Sequence, residues 1–155
     1  MDIAAPGGDT RIAMISTVAV GTDGSATAAE AVRMAAELAR GFGASLVLVS
    51  AFQDSERPPI DRRSASPEVQ WAFSPLARVQ EILTRTQEEL RRDGIDCRTC
   101  VEEGDPAEVL VRLASECEAD VLVIGNKGMD RRVLGSVPNT VTHKAACSVI
   151  VVKTT

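Results

Sequence analysis

Short apolar runs alternate along this chain with longer stretches in which apolar residues recur every three or four positions. Most of the short runs lack charge and are rich in β-branched residues, which is typical of strands buried on both faces of a sheet. The longer stretches have the periodicity of amphipathic helices. The predicted strands are 17–20, 45–52, about 97–102, 121–124 and 148–153.

Four helices are predicted between these strands, and most of them carry start or stop signals. The first has an apolar stripe from Ala28 to Phe42 and ends at Gly41 or Gly43. Ser74-Pro75 begins the second helix, Asp105-Pro106 begins the third, and the fourth covers about 137–144. The order βαβαβαβαβ predicts an α/β fold, a three-layer α/β/α sandwich around a five-stranded parallel sheet.

Two segments do not fit this alternation. Residues 1–14 mix Pro, Gly and Asp and are expected to form a flexible tail, so that one domain covers 15–155. Prolines and serines interrupt Gln53 to Phe73, which is expected to be a long and mobile surface loop. Trp71 and Phe73 are expected to anchor this loop on the domain.

Glycines at the end of the fourth strand suggest a ligand site. Gly125-Asn126-Lys127-Gly128 follows the apolar run directly, and Gly135-Ser136 comes after six further residues. Glycine lets backbone N–H groups approach a ligand closely, and a Gly-Ser that opens a helix adds the N-terminal N–H groups of that helix. A phosphate-holding loop is therefore predicted here.

Three cationic side chains, Lys127, Arg131 and Arg132, lie in or beside this glycine-rich segment. They are candidate partners of phosphate oxygens, or else solvated charges of a surface loop, and the sequence favours neither interpretation. A second glycine-marked turn, Gly21 to Ser25, follows the first strand. If the first and fourth strands are neighbours, both turns meet at the topological switch point, where the strand order reverses. Sheets of this kind bind ligands at that point.

Charge and length exclude several classes of function. The formal net charge is −5 and no run of Lys or Arg is present, so a nucleic-acid surface is not expected. The apolar runs are far shorter than the roughly 20 residues that span a bilayer. The start of the chain lacks the apolar region of a secretory signal, so a cytoplasmic location is expected.

The four cysteines do not form a convincing redox or metal site. Cys97 and Cys100 lie in a predicted strand, where residues three apart point to opposite faces. With one histidine in the chain, a zinc site is also disfavoured. Cys117 and Cys147 are expected to be small core residues.

Several short motifs, taken in order, resemble the universal stress protein family from about Ser16 to the end of the chain. They are Val20-Gly21-Thr22-Asp23-Gly24-Ser25, Glu103-Gly104-Asp105-Pro106, the segment 123–128 and Leu134-Gly135-Ser136-Val137-Pro138-Asn139. The resemblance implies a Rossmann-like fold of the adenine nucleotide alpha hydrolase type, with strand order 3-2-1-4-5. The ATP-binding branch of the family is similar to G-x2-G-x9-G-[ST], whereas six residues separate Gly128 from Gly135 here.

The resemblance also implies roles for individual residues. Asp23 would contact the ribose or the adenine side, Thr22 would line the base pocket and Ala51 would contact the base. The glycines of the fourth-strand loop, with Ser136 and Val137, would surround the ribose and the phosphates. From the residues alone, Asp23 in Asp-Gly-Ser is also a common turn or N-cap residue. With the cationic side chains included, the predicted nucleotide-binding residues are Gly21, Thr22, Asp23, Ala51, Gly125, Asn126, Lys127, Gly128, Arg131, Arg132, Gly135, Ser136 and Val137.

The resulting hypothesis is a stress-response regulator that binds an adenine nucleotide. ATP, with Mg²⁺ as its companion ion, is the first ligand, and AMP or cyclic AMP is the alternative. Two other classes stay open: a relative that has lost nucleotide binding and acts through protein partners, and an enzyme, for which no catalytic residues are visible. A homodimer through the final strand, 148–153, is also expected, because an apolar sheet edge invites pairing and many relatives pair there.

Overall fold

The computed structural model describes residues 14–54, 65–126 and 134–153 of the 155-residue chain. Its centre is a five-stranded sheet in which every neighbouring pair of strands is parallel. The strand order is β3-β2-β1-β4-β5, so the predicted fold class and strand order are confirmed. The strands are β1 (Thr17–Gly21), β2 (Ser45–Phe52), β3 (Cys97–Glu103), β4 (Val121–Asn126) and β5 (Ser148–Lys153).

Two of the helices begin at capping residues that the sequence predicts, Ser74 and Asp105. Ser25, Ser74 and Asp105 each accept a hydrogen bond from the backbone N–H three residues later, which satisfies one donor of the first helical turn. Gly43 ends the first helix in the left-handed conformation, with φ of 63°. The helices are α1 (Ala26–Phe42), α2 (Pro67–Ala72), α3 (Pro75–Arg92), α4 (Pro106–Glu116) and α5 (Ser136–Lys144).

The sheet separates two apolar clusters. Side chains of β1 and β2 alternate between the faces, so that Val18 and Val20 pack under α1 and α3 while Ala19 packs under α4. Cys97 packs against the first cluster and Cys100 against the second, which confirms that they point to opposite faces. Burial raises the pKa of the Cys97, Cys117 and Cys147 thiols, which disfavours the reactive thiolate.

The segment from Gln53 to Phe73 is not a continuous loop, so this prediction is wrong in its second half. Helix α2 forms because Ser66 accepts a hydrogen bond from the Val69 N–H and Pro67 occupies the first turn. Trp71 and Phe73 are 60% and 57% exposed, so they do not anchor the segment as expected. Residues 55–64 and the predicted tail up to residue 13 lie outside the described ranges.

The far end of the α1 stripe also differs from expectation. Phe42 is 48% exposed, whereas the alanines of the stripe are buried. The reason is that Phe42 is the last residue of α1, beyond the part of the helix that packs on the sheet.

The amino ends of β1 and β4 are tied together by one carboxylate. Oδ2 of Asp120 accepts hydrogen bonds from the backbone N–H groups of Ser16 and Thr17 at 2.8 and 3.0 Å, and from the Ser16 hydroxyl at 3.1 Å. The backbone donor of Ser16, followed by that of Thr17, holds the pKa of Asp120 below its ordinary value. The ionised form of Asp120 therefore stabilises the start of the sheet.

We expect Asp120→Asn to lower the free energy of unfolding at neutral pH, because asparagine lacks the charge that strengthens these hydrogen bonds. A carboxyl group whose pKa is lowered by folding stabilises the protein above its unfolded pKa, and this contribution is lost as the pH falls through the folded pKa. Urea unfolding at a series of pH values from 7 to 3 should thus show that the variant and the wild type differ in their free energy of unfolding, and that this difference narrows below about pH 4. The control is Glu88→Gln, an exposed carboxylate of α3. A difference independent of pH would contradict this role for the charge.

Candidate functional site

A cavity of about 540 Å³ opens at the carboxyl ends of the central strands. After β1 the chain turns into α1 on one face of the sheet, and after β4 it continues to α5 on the other face, so a cleft forms between the two turns. The predicted meeting of the two glycine-marked turns is thus confirmed at this end of the sheet. The predicted site residues that line the cavity are Gly21, Thr22, Asp23, Ala51, Gly125, Ser136 and Val137.

Two predicted residues support the cavity without lining it. The side-chain oxygen of Asn126, the last residue of β4, accepts a hydrogen bond from the N–H of Gly135 at 3.0 Å. This bond fixes the position of the α5 N-terminus relative to β4. Lys127, Gly128, Arg131 and Arg132 lie outside the described residues, so their predicted roles stay predictions.

The turn after β1 holds Asp23 through local hydrogen bonds. Oδ1 of Asp23 accepts from the N–H of Ser25 at 2.9 Å, while Ser25 itself caps α1 by accepting from Ala28 at 3.2 Å. Gly24 between them has φ of 79°, a left-handed conformation that suits glycine. Asp23 is therefore a turn residue, as the residues alone allowed, and it also lines the cavity.

Gly125 is constrained by protein packing. A Cβ at this position would lie 2.7 Å from Cγ2 and 2.8 Å from the backbone oxygen of Thr27. The first turn of α1 thus sits directly on the end of β4. The sequence argument explained this glycine by close approach of a ligand, whereas the structure shows that a helix already requires it.

In the sequence, Ser136 stands directly before the predicted helix 137–144, where an N-cap would lie, but it is not the cap of α5. The N-cap is Gly135, which has an extended conformation and no side-chain capping bond, and Ser136 is the first helical residue. Ser136 is exposed and lines the cavity together with Val137. The first N–H groups of a helix lack partners within it, so this end of α5 can donate to an anion.

The opposite end of α5 is fixed against α4. Lys144 in the last turn of α5 pairs with Glu108 in the first turn of α4, and the hydrogen bond to Glu108 followed by its charge raises the pKa of Lys144. Each side chain also has the charge sign that its helix end favours. The contact helps to orient α5 and hence the Ser136 end.

Sequence reasoning missed several cavity residues. Ser50, a buried residue near the carboxyl end of β2, donates from Oγ to the carbonyl oxygen of Thr22 at 2.7 Å. Its signal was a lone hydroxyl within an otherwise apolar run. Arg78, Val79 and Ile82 reach the cavity from α3, and no local pattern in the sequence indicates this, because it depends on where α3 crosses the sheet.

Metal binding and membrane insertion were searched within the described ranges. No helix there has both the length and the apolar character needed to cross a bilayer. The same three ranges contain no group of three or more histidine, cysteine, aspartate or glutamate side chains placed to hold a metal ion.

Comparison with known proteins gives consistent matches over most of the chain. A sequence profile described as "Universal stress protein family" matches residues 14–153. Universal stress protein Rv1636 of Mycobacterium tuberculosis is 37% identical over 147 residues, which cover 90% of this chain and 97% of that protein.

Comparison with solved structures also finds universal stress proteins. A universal stress protein in complex with cAMP has 31% sequence identity and a TM-score of 0.70, covering 92% of this chain and 99% of that one. A universal stress protein from Archaeoglobus fulgidus in complex with dAMP has 25% identity and a TM-score of 0.65, covering 89% and 98%. This chain therefore belongs to the universal stress protein family.

Proposed function

We propose that this protein binds an adenine nucleotide in the cavity between β1 and β4 and acts as a cytoplasmic stress-response regulator. The observation that carries the proposal is that one cavity wall contains Thr22 and Asp23, while another contains the first turn of α5. The former offers polar groups to the base and ribose, and the latter offers N–H donors to phosphate. About 540 Å³ is within the range of small-molecule sites.

ATP is the first ligand that the proposal names, and a monophosphate such as cyclic AMP or AMP is the second. The relatives solved with cAMP and dAMP support a monophosphate. The spacing of six residues between Gly128 and Gly135 supports it too, because a shorter loop offers fewer backbone donors to a phosphate chain. ATP remains the first candidate because the two ends of the glycine segment keep the residue types of the ATP-binding branch.

Isothermal titration with ATP, ADP, AMP and cyclic AMP tests the proposal and ranks the ligands. Binding of at least one of these nucleotides is expected. No heat with any of them at millimolar concentration would overturn nucleotide binding and favour the alternative, a family member that acts only through protein partners.

Mg²⁺ enters this proposal as the companion of ATP. The ion prefers carboxylate oxygens together with substrate phosphates and water. Asp23 is the carboxylate among the described residues that line the cavity, so it is the side chain there that fits such an ion. When bound, Mg²⁺ would neutralise phosphate charge.

Replacing Asp23 by asparagine should weaken nucleotide binding by about tenfold or more while preserving the turn. The amide oxygen of asparagine can still accept the Ser25 N–H, whereas the charge that strengthens hydrogen bonds from ribose hydroxyls is lost. Isothermal titration measures the loss, and the thermal unfolding temperature checks that the fold is intact. Asp105→Asn is the control, since Asp105 caps α4 but does not line the cavity. Equal losses for both variants would contradict a ligand role for Asp23.

The proposal also includes a homodimer formed through β5. This strand is at one edge of the sheet and carries Val149, Ile150, Val151 and Val152 in succession. The other edge strand, β3, carries Arg98 and Glu102, and charges of this kind discourage edge pairing. The asymmetry supports pairing at β5.

A further inference from the structure

We propose that the surface around Trp71 is a docking site for a protein segment that combines lysine or arginine with apolar side chains. Trp71 belongs to α2, a helix without buried residues, and it is 60% exposed. Burial of the indole therefore contributes little to the folding of this chain. Tryptophan is also among the residue types in which the binding energy of protein interfaces is concentrated.

Trp71 lies between two cavities and lines both of them. The first has a volume of about 430 Å³ and is formed with Phe52 of β2 and Leu76 of α3. The second has a volume of about 620 Å³ and lies between α3 and β3, where Ala77 and Val101 line it. Trp71 and these two cavities are called the Trp71 surface below. This surface offers a partner an exposed aromatic ring with recesses beside it.

Both cavities offer apolar contacts. Phe52, Leu76 and Val101 are half-buried, so part of each side chain is accessible to a partner. Ala77 and Leu83 are buried residues of α3 that also line the second cavity. Covering apolar surface of this kind removes it from water, which favours association. A segment that docks here therefore carries apolar side chains.

The charged side chains that line the two cavities, among the residues that the structure describes, are all carboxylates. Asp54 and Glu103 belong to the first cavity and Glu81 to the second. Glu81 is paired with Arg85 of the same helix at 3.2 Å, whereas Glu103 is exposed and has no ion pair within the described ranges. The face of a tryptophan ring attracts a cation, and carboxylates nearby add to that attraction. The Trp71 surface therefore favours lysine or arginine in its partner.

The same charges disfavour other occupants. A second copy of this chain would bind through a twofold contact, in which each surface faces its own equivalent. Carboxylates would then oppose carboxylates, and the formal net charge of −5 adds to the repulsion. Nucleic acid and anionic lipid are repelled for the same reason. A cationic protein segment is the occupant that both the carboxylates and the apolar cavities favour.

The Trp71 surface is separate from the proposed nucleotide site. No described residue lines both the nucleotide cavity and either of these two cavities. The inference therefore adds a partner surface to the proposed function and does not depend on nucleotide binding. Docking of a partner and binding of a nucleotide can be measured separately.

Trp71 is the only tryptophan in the chain, so its fluorescence reports contact at this surface directly. The probe is a short synthetic peptide that repeats Lys-Leu-Lys-Ser, titrated into the full chain. We expect a saturable shift of the emission to shorter wavelength, because the peptide removes water from the indole. Replacing lysine by glutamate in the peptide should weaken binding at least about tenfold, because glutamate repels the carboxylates of the surface.

Two pairs of matched variants locate the contact by isothermal titration with the lysine peptide. Trp71→Ala should weaken binding at least about tenfold, whereas Val69→Ala, on the same helix but outside both cavities, should not change it. Glu103→Gln should weaken binding by about two- to fivefold, whereas Glu88→Gln, an exposed carboxylate of α3 outside both cavities, should not change it. Circular dichroism checks that each variant is folded.

Equal affinity of the wild type for the lysine and glutamate peptides would overturn the inference, and so would the absence of a saturable change at millimolar peptide. Equal affinity of the wild type and folded Trp71→Ala for the lysine peptide would also overturn it. If native mass spectrometry shows that Trp71→Ala lowers the oligomeric mass, the occupant is a second copy and the inference is again overturned. These results are independent of the nucleotide titrations, which test the proposed function.

Discussion

Gly125→Ala should lower the free energy of unfolding by about 1–3 kcal/mol. The added methyl group would overlap the backbone oxygen of Thr27 at 2.8 Å, and a backbone atom cannot move away by a change of rotamer. The first turn of α1 or the end of β4 must therefore shift. Urea unfolding measures the loss directly.

Two other glycines provide matched controls. Gly135 has Asn126 Oδ1 at 3.4 Å and Pro138 Cδ at 3.6 Å as the nearest described atoms to an added Cβ, so alanine fits with little adjustment. Gly41, in the last turn of α1, has nothing described within 4 Å, and alanine there should stabilise or leave stability unchanged. A loss at Gly125 no larger than that at Gly135 would contradict the packing argument.

The packing around Gly125 also shows how far the sequence alone can explain a glycine. A glycine at the end of a buried strand predicts close approach of something, and both a ligand and a helix satisfy that pattern. For Gly125 the approaching group is Thr27, almost one hundred positions away in the chain. Only the placement of α1 against β4 distinguishes the two cases.

The fold could be predicted from the sequence because the residue patterns that indicate its strands and helices are local. Strands β1, β2 and β4 are buried on both faces and thus lack charge, and the caps of α1, α3 and α4 are side chains next to the helices they begin. Helix α2 was not predicted, because the prolines around it were taken to interrupt regular structure. Pro67 in fact occupies the first turn of this helix, where proline is tolerated.

Two walls of the cavity could be predicted from the sequence, whereas the wall that α3 contributes could not. Turns after β1 and β4 carry glycine and polar residues in contiguous motifs, so Thr22, Asp23 and Ser136 could be named in advance. The contribution of α3 comes from a helix that contacts the cavity through tertiary packing. Ser50 was visible as a hydroxyl in an apolar strand, but its hydrogen-bond direction required the position of the Thr22 carbonyl.

The same distinction between local and long-range information applies to oligomerisation. The sequence marks 148–152 as an uncharged apolar run, and the sheet order places it at an edge. Ile150 and Val152 pack partly against the first cluster, and Val149 and Val151 partly against the second. Since these side chains stay half-buried in a single chain, apolar surface remains at this edge for a second copy to cover.

Val151→Lys should convert the proposed dimer to monomers or expose an edge that aggregates. A lysine at the centre of β5 would introduce a charge into an apolar contact, and its burial without a partner is unfavourable. Native mass spectrometry at micromolar concentration measures the change, and circular dichroism checks the fold. Thr99→Lys is the matched control, since Thr99 is exposed on the opposite edge strand and its replacement should leave the dimer intact. A wild type that is only monomeric would refute the dimer, and a dimer unaffected by Val151→Lys would place the interface elsewhere.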